Sequence, residues 1–75
     1  MAKVFSGEKL FYQVARNGIT GAKAAEKAGL HRNTVQYLVN GRNTKPSKLT
    51  LLRLAIALNC SVDDFMIDED ETGKE

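Results

Sequence analysis

Two stretches of this sequence repeat apolar residues at the spacing of one helix turn. In the first, Leu10, Phe11 and Val14 lie one turn apart, between a start at Ser6 or Gly7 and a break at Asn17-Gly18. The second stretch covers residues 48–58, after a capping Ser47, and places apolar side chains at i, i+3, i+4 and i+7. These side chains are Leu51, Leu54, Ala55 and Leu58. Both patterns predict amphipathic helices that face a common core.

The centre of the chain predicts two short helices joined by a tight turn. Thr20 is a good N-cap for a helix over residues 21–28, and Gly29 supplies the positive φ that a sharp helix end needs. A further helix over about 32–39 would stop at Asn40-Gly41. The small residues that let the two helices cross closely are Ala24, Ala25 and Ala28, and those that return the later helix to the core are Leu30, Val35 and Leu38. This arrangement is typical of a helix-turn-helix.

The C-terminal part predicts one more short helix. Ser61 can cap it, and Asp63 and Asp64 in its first turn complement the helix dipole. No segment alternates apolar and polar residues for long enough to predict a strand. We therefore expect an all-α, five-helix domain over residues 1–67, with the helix-turn-helix at helices two and three. An acidic, disordered tail over 68–75 would follow it.

Composition narrows the functional class. A chain of 75 residues forms one small domain, with too little interior for an enclosed catalytic cavity. Its single cysteine, Cys60, allows no internal disulfide, which fits a reducing cytoplasm, and we expect it to be a buried packing thiol. No apolar run approaches the length of a membrane span. The chain has one histidine, so we expect no metal site, no cofactor and no catalysis.

The charge of the chain is divided unevenly. Residues 1–67 hold ten Lys and Arg against four acidic residues, whereas residues 68–75 hold five acidic residues and Lys74. A basic domain suits a polyanionic partner such as double-stranded DNA. With Val35 and Leu38 facing inward, the outward face of the third helix offers base-contacting candidates. They are Arg32, Asn33, Gln36 and Tyr37. Arginine can bond guanine, and Asn or Gln can bond adenine, through paired hydrogen bonds.

Phosphate-binding candidates lie on either side of this helix. The start of the second helix offers backbone N–H groups and a positive dipole end near Thr20 and Gly21, together with Lys23. After the third helix, a polar turn can hold the opposite strand. Its candidates are Asn40, Arg42, Asn43 and Lys45. For each of these residues the alternative is an ordinary solvated surface side chain.

The sequence resembles the Cro/phage-repressor (XRE-type) helix-turn-helix family over about residues 8–66. The matching pieces are Ala25-x-x-Ala28-Gly29-Leu30, Thr34-Val35, Asn40-Gly41-Arg42, Pro46-Ser47-x-x-Thr50-Leu51-Leu52-x-Leu54-Ala55-x-Ala57-Leu58 and Ser61-Val62-Asp63-Asp64-Phe65. The resemblance implies base contacts at the positions of Arg32, Asn33 and Tyr37, with Gln36 nearer the groove edge. It also implies a repressor that binds as a homodimer to a two-fold symmetric operator. The candidate dimer surface is Phe65, Met66 and Ile67, although Phe65 could equally close the core.

Four positions depart from the family pattern. Many relatives pair an arginine with a glutamate at the positions of Val14 and Val39, so the paired change to valine predicts that these two side chains touch. Gly21 replaces a frequent glutamine, so a clamp there must use the backbone or Lys23. His31 stands where relatives favour a Ser or Thr cap, and we expect a partly exposed residue at the helix start.

Two other functions of the same fold compete with a repressor. Small proteins of this family also act as antitoxins, and the acidic tail could then dock on a basic protein partner. The chain could also bind nucleic acid without sequence preference. Deleting residues 68–75 and comparing specific with random DNA would separate the three.

Overall fold

The protein, as a computed structural model, is described here over residues 3–43 and 45–68. The described part contains a first strand β1 (Lys3–Phe5), helices α1 (Gly7–Arg16), α2 (Gly21–Lys27), α3 (Thr34–Val39) and α4 (Lys48–Leu58), a 3₁₀ helix (Val62–Phe65) and a second strand β2 (Met66–Asp68). Within these residues, no helix has the length and apolar content needed to cross a membrane.

One buried cluster holds the helices together. Its largest fully buried side chains are Phe65, Leu10, Leu38, Leu54, Leu58 and Val35, and its small members are Ala24, Ala25, Ala28 and Ala55. All four residues of the predicted apolar stripe on α4 belong to it. Phe11 does not, because its side chain is 59% exposed. Its neighbour Leu10 is fully buried, so the core covers the Leu10 side of α1 and leaves the Phe11 side open.

Local caps set the helix ends. The side-chain oxygens of Ser6, Thr20 and Ser47 accept hydrogen bonds from the backbone N–H three residues later in α1, α2 and α4. Asn59 ends α4 in the left-handed conformation, with φ of 58°. At the end of α1, Asn17 Nδ2 donates to the carbonyl of Leu58 at 3.2 Å and therefore joins the ends of α1 and α4.

The turn between α2 and α3 depends on Gly29, whose φ is +74°. The N–H of Leu30 donates to the carbonyl of Ala25 at 2.9 Å, which closes the end of α2. The Arg53 guanidinium of α4 covers this turn, because its Nη1 lies 3.2 Å from the position that a Cβ on Gly29 would occupy. The turn is therefore fixed both by its own backbone and by α4.

The structure corrects the expectation of an all-α, five-helix chain. The predicted fifth helix is a four-residue 3₁₀ helix, which starts with Ser61 donating from its N–H and its hydroxyl to Asp64 Oδ2. Two strands that the sequence did not predict pair antiparallel, with Lys3 opposite Asp68 and Phe5 opposite Met66. Three-residue strands are too short to show alternation, and their pairing joins opposite ends of the chain.

The position of the predicted tail is only partly described. Asp68, its first residue, ends β2, and residues 69–75 lie outside the described residues, so their expected disorder stays a prediction. Phe65 is fully buried and closes the core. Of the three residues suggested for a dimer surface, Met66 and Ile67 remain half-buried within β2.

Candidate nucleic-acid interface

Helix α3 begins later than the sequence suggested. The prediction started it near residue 32, but the structure starts it at Thr34 and places Arg32 and Asn33 in the preceding turn. The cause is local: the N–H of Asn33 donates to His31 Nδ1 at 3.1 Å, and the N–H of Thr34 donates to the His31 carbonyl at 2.9 Å. His31 is exposed, and its ring accepts this bond in the turn just before Asn33, the N-cap of α3.

Three of the four base-contacting candidates share one face of α3 and its N-terminal turn. Val35 and Leu38 are each 1% exposed and anchor α3 to the core. Arg32, Gln36 and Tyr37 are exposed, and Asn33 is half-buried. Because Asn33, Gln36 and Tyr37 follow the i, i+3, i+4 spacing, they lie on one face of the helix. Arg32 precedes that face by one residue, at the N-terminal end of the helix.

The end of α3 brings Tyr37 and Arg42 together. Gly41 turns the chain with φ of +84°, and the N–H groups of Arg42 and Asn43 donate to the Tyr37 carbonyl at 2.9 and 3.2 Å. The Arg42 guanidinium then lies 5.7 Å from the centre of the Tyr37 ring, a cation–π arrangement. Both side chains are exposed, so their outer atoms are available to a ligand.

The other phosphate-binding candidates after α3 are also exposed. Asn40 is the C-cap of the helix, and Asn43 Oδ1 accepts a 3.2 Å hydrogen bond from the N–H of Lys45. That bond orders the backbone of this polar turn without using the Lys45 ammonium group. Arg42 therefore adds a cationic group beside the exposed face of α3, and Lys45 is a further exposed cation three residues later in the chain.

At the start of α2, part of the predicted donor set is already used. Thr20 Oγ1 accepts from the N–H of Lys23 at 3.1 Å, and Lys23 Nζ lies 3.4 Å from Glu26 Oε1 in an exposed ion pair. Thr20, Lys23 and Glu26 line a shallow depression together with Arg32. Exposed ion pairs of this kind are weak and exchange readily with other partners. Lys23 can therefore turn to an anion without a large loss.

A groove of about 400 Å³ joins α1, the start of α2 and α3. This groove is lined by Phe11 and by four predicted contact residues, which are Thr20, Gly21, Gln36 and Asn40. Val14 and Val39 also line it, so the two valines expected to touch are in one groove rather than far apart. Sequence reasoning missed Phe11 as a part of this surface, because its apolar character suggested core.

Gly21 allows α2 and α3 to approach each other. A Cβ at this position would lie 3.3 Å from Val35 Cγ1, which is tighter than most packed contacts. A glutamine, frequent here in relatives according to the resemblance, would need Val35 to shift. Val35 therefore packs closely against Gly21 and would be crowded by a side chain at this position.

Cys60 is half-buried against the core. Burial raises the pKa of its thiol above the ordinary 9.0, the Asp64 carboxylate raises it further, and Arg16 acts in the opposite direction. The thiol thus stays protonated at neutral pH, although it is less buried than the sequence predicted. Over residues 3–43 and 45–68, no three His, Cys, Asp or Glu side chains are grouped to hold a metal ion.

Comparisons with known proteins agree with this geometry. The family model for the helix-turn-helix (HTH_3) matches residues 13–65. No curated protein sequence shows significant similarity to the chain. Among solved structures, a complex of the SinR protein with the SinI protein contains a chain of similar fold, with a TM-score of 0.76 and 23% identity. The similar region covers 92% of this chain and 66% of that one, just under two thirds. From the helix-turn-helix geometry and the family match, we conclude that this chain belongs to the XRE-type helix-turn-helix family of DNA-binding transcription regulators.

Proposed function

We propose that this protein is a transcriptional repressor that binds a two-fold symmetric operator as a homodimer and blocks the promoter. The observation that supports the proposal best is the exposed polar side of α3, which adjoins two cationic residues on an ordered turn. A helix with this surface fits the major groove, where base edges offer a distinct pattern of donors and acceptors. The role requires no cofactor and no catalytic group.

Base reading is assigned to four side chains. Arg32 would donate two hydrogen bonds to guanine, and Asn33 or Gln36 would pair with adenine. Tyr37 would contact a thymine methyl group, with its ring held against Arg42. Each correct bidentate pair contributes about 1–3 kcal/mol of discrimination, which corresponds to about 5- to 150-fold in affinity.

Phosphate contacts would fix the register of α3 on the duplex. On one side of the helix they come from Thr20, Gly21 and Lys23, with the Gly21 contact made by its backbone. On the other side they come from Asn40, Arg42, Asn43 and Lys45. These contacts carry no sequence information by themselves, but they supply the salt-dependent part of the affinity.

Selection of bound sequences from a random double-stranded DNA pool tests the proposal. We expect the wild type to enrich a short inverted repeat, and an Arg32→Ala, Asn33→Ala variant to lose that enrichment while still binding DNA at low salt. Lys9→Ala is the matched control, because Lys9 is an exposed cation on α1 that lines none of the surfaces described above for DNA. If the wild type enriches no sequence, the assignment of base reading to α3 is wrong.

A protein-binding role is the second candidate, since the structurally similar SinR chain was solved in complex with SinI. In that role, as in an antitoxin, the acidic segment 68–75 would dock on a basic partner. Deletion of residues 69–75 separates the two functions. A repressor keeps its operator affinity after the deletion, whereas a protein that depends on this segment loses its partner.

A further inference from the structure

Helix α4 carries a second apolar face that the other described residues leave exposed. Leu49, Leu52 and Ile56 are 58%, 48% and 72% exposed, and their spacing of i, i+3, i+7 aligns them along the helix. We call these three residues the α4 stripe. It points away from the residues that α4 buries in the core, which are Leu51, Leu54, Ala55 and Leu58.

A helix that is apolar on both sides is normally covered on both sides. From Leu49 to Leu58, only Thr50 and Arg53 are polar. The other exposed apolar side chains of the described residues, Phe11, Tyr12 and Tyr37, are on α1 and α3 and do not continue the stripe. Contiguous exposed apolar surface of this kind marks an interaction site.

The acidic segment after β2 does not have the chemistry to cover the α4 stripe. Residues 69–75 contain no apolar side chain, and four of the seven are acidic. Burial of Leu49, Leu52 and Ile56 requires a second apolar surface, and an identical α4 stripe offers one of matching size.

We propose that the α4 stripe is the homodimer interface of this protein. A two-fold axis that maps the stripe onto its copy makes an interface of two identical apolar surfaces, and it brings the middle residue, Leu52, close to Leu52 of the second copy. Arg53 does not oppose this contact, because its guanidinium lies over Gly29 of the same chain. The inference rests on the proposed function, since a two-fold operator requires a dimer.

The stripe and the proposed DNA surface share no residue. None of the stripe's residues belongs to the sets proposed for base or phosphate contact, so dimer formation uses no side chain that DNA binding needs. Three side chains provide only part of the roughly 800 Å² per partner of a standard interface. We therefore expect a weak dimer in solution, which two adjoining half-sites on DNA strengthen by raising the effective concentration.

Disulfide trapping tests the interface directly. In the full chain with Cys60→Ser, we introduce Leu52→Cys, and as a matched control Tyr12→Cys, which alters a 61% exposed residue on α1. Mild oxidation should convert most of the Leu52→Cys protein to a covalent dimer at concentrations where the Tyr12→Cys protein stays mostly monomeric. Equal yields from the two variants, or no dimer from Leu52→Cys, would overturn the proposal and leave the stripe to a different protein partner.

A binding experiment separates this inference from the proposed function. Wild type and a Leu52→Gln, Ile56→Gln variant, which keeps the charge, are titrated with duplexes that carry one half-site or two. The variant should bind the duplex with one half-site as tightly as the wild type does. On the duplex with two half-sites, its affinity should be at least tenfold lower than that of the wild type. If the wild type binds one half-site and gains nothing from a second, only the dimer interface is wrong. If it binds neither duplex specifically, the proposed function fails.

Discussion

The backbone N–H of Asn33 donates a hydrogen bond of 3.1 Å to the ring nitrogen Nδ1 of His31. This contact makes the histidine a cap for the turn that presents Arg32 and Asn33, and it places the proton of the neutral ring on Nε2. The His31 side chain therefore orders the turn that precedes α3.

Removing this cap should weaken both the fold and DNA binding. We expect His31→Ala to lower the free energy of unfolding by about 1 kcal/mol, and His31→Ser to recover most of that loss, because a hydroxyl can accept the same kind of bond. Denaturant unfolding of the three proteins measures the effect. Equal stability of His31→Ala and wild type would mean that the hydrogen bond contributes nothing.

Gly7 allows the start of α1 to lie close to the backbone at the end of α3. A Cβ on Gly7 would lie 2.6 Å from the Leu38 carbonyl oxygen, and backbone atoms of Val39 are also within 3.2 Å. In an open helix, Gly→Ala raises stability, but here we expect Gly7→Ala to lower the free energy of unfolding by about 1–3 kcal/mol. Glu8→Ala, at the exposed next position, is the control and should change stability much less. A Gly7→Ala protein as stable as wild type would contradict the packing.

Arg42 and Arg32 should affect DNA binding in different ways. If Arg42 contacts phosphate, Arg42→Ala lowers affinity for operator and random DNA by the same factor and reduces the slope of log K against log salt by about 1. Arg32→Ala should instead lower affinity for the operator and leave random DNA nearly unchanged. Salt titrations on both duplexes make the comparison. If the two variants behave identically, Arg42 and Arg32 do not have the separate roles of phosphate contact and base reading.

Cys60 should react slowly in the folded protein. Because its pKa is raised, the thiolate is rare near neutral pH, and alkylation should be slower than in the denatured chain. The pKa in the folded state lies above that of the unfolded state. The thiol therefore costs no stability below pH 9, and stability falls as pH rises from there through the folded-state pKa. Cys60→Ser should remove the loss of stability at alkaline pH that comes from this thiol. Asp64→Asn should speed the alkylation of Cys60.

The elements that the sequence predicted correctly depend on neighbours along the chain. The bounds of α4, its buried stripe and the caps at Thr20 and Ser47 all follow from spacing and side-chain type within one or two turns. The start of α3 was wrong by two residues, since a histidine is not recognised as a cap from sequence pattern alone. The 3₁₀ helix was expected as a fifth helix because its capping residues, Ser61 and Asp64, also begin α-helices.

Features that join distant segments were not predictable in this way. The exposure of Phe11 depends on which side of α1 the other helices cover, and the groove beside it requires the relative positions of three helices. Exposure of Arg32, Gln36 and Tyr37 agrees with the face assigned from sequence, while their base contacts stay predictions. The α4 stripe was present in the sequence, but only the fold shows that no other described element covers it.

The pairing of β1 with β2 has a consequence for the order in which the chain folds. This ladder joins the first and last described elements, so it closes a longer loop than any helix–helix contact and gains only a few hydrogen bonds in return. Helices with local contacts form early, and long-range strand pairing forms late. We therefore expect the ladder to form late and to open early, and its amide protons should exchange with solvent well before those of α1 and α4.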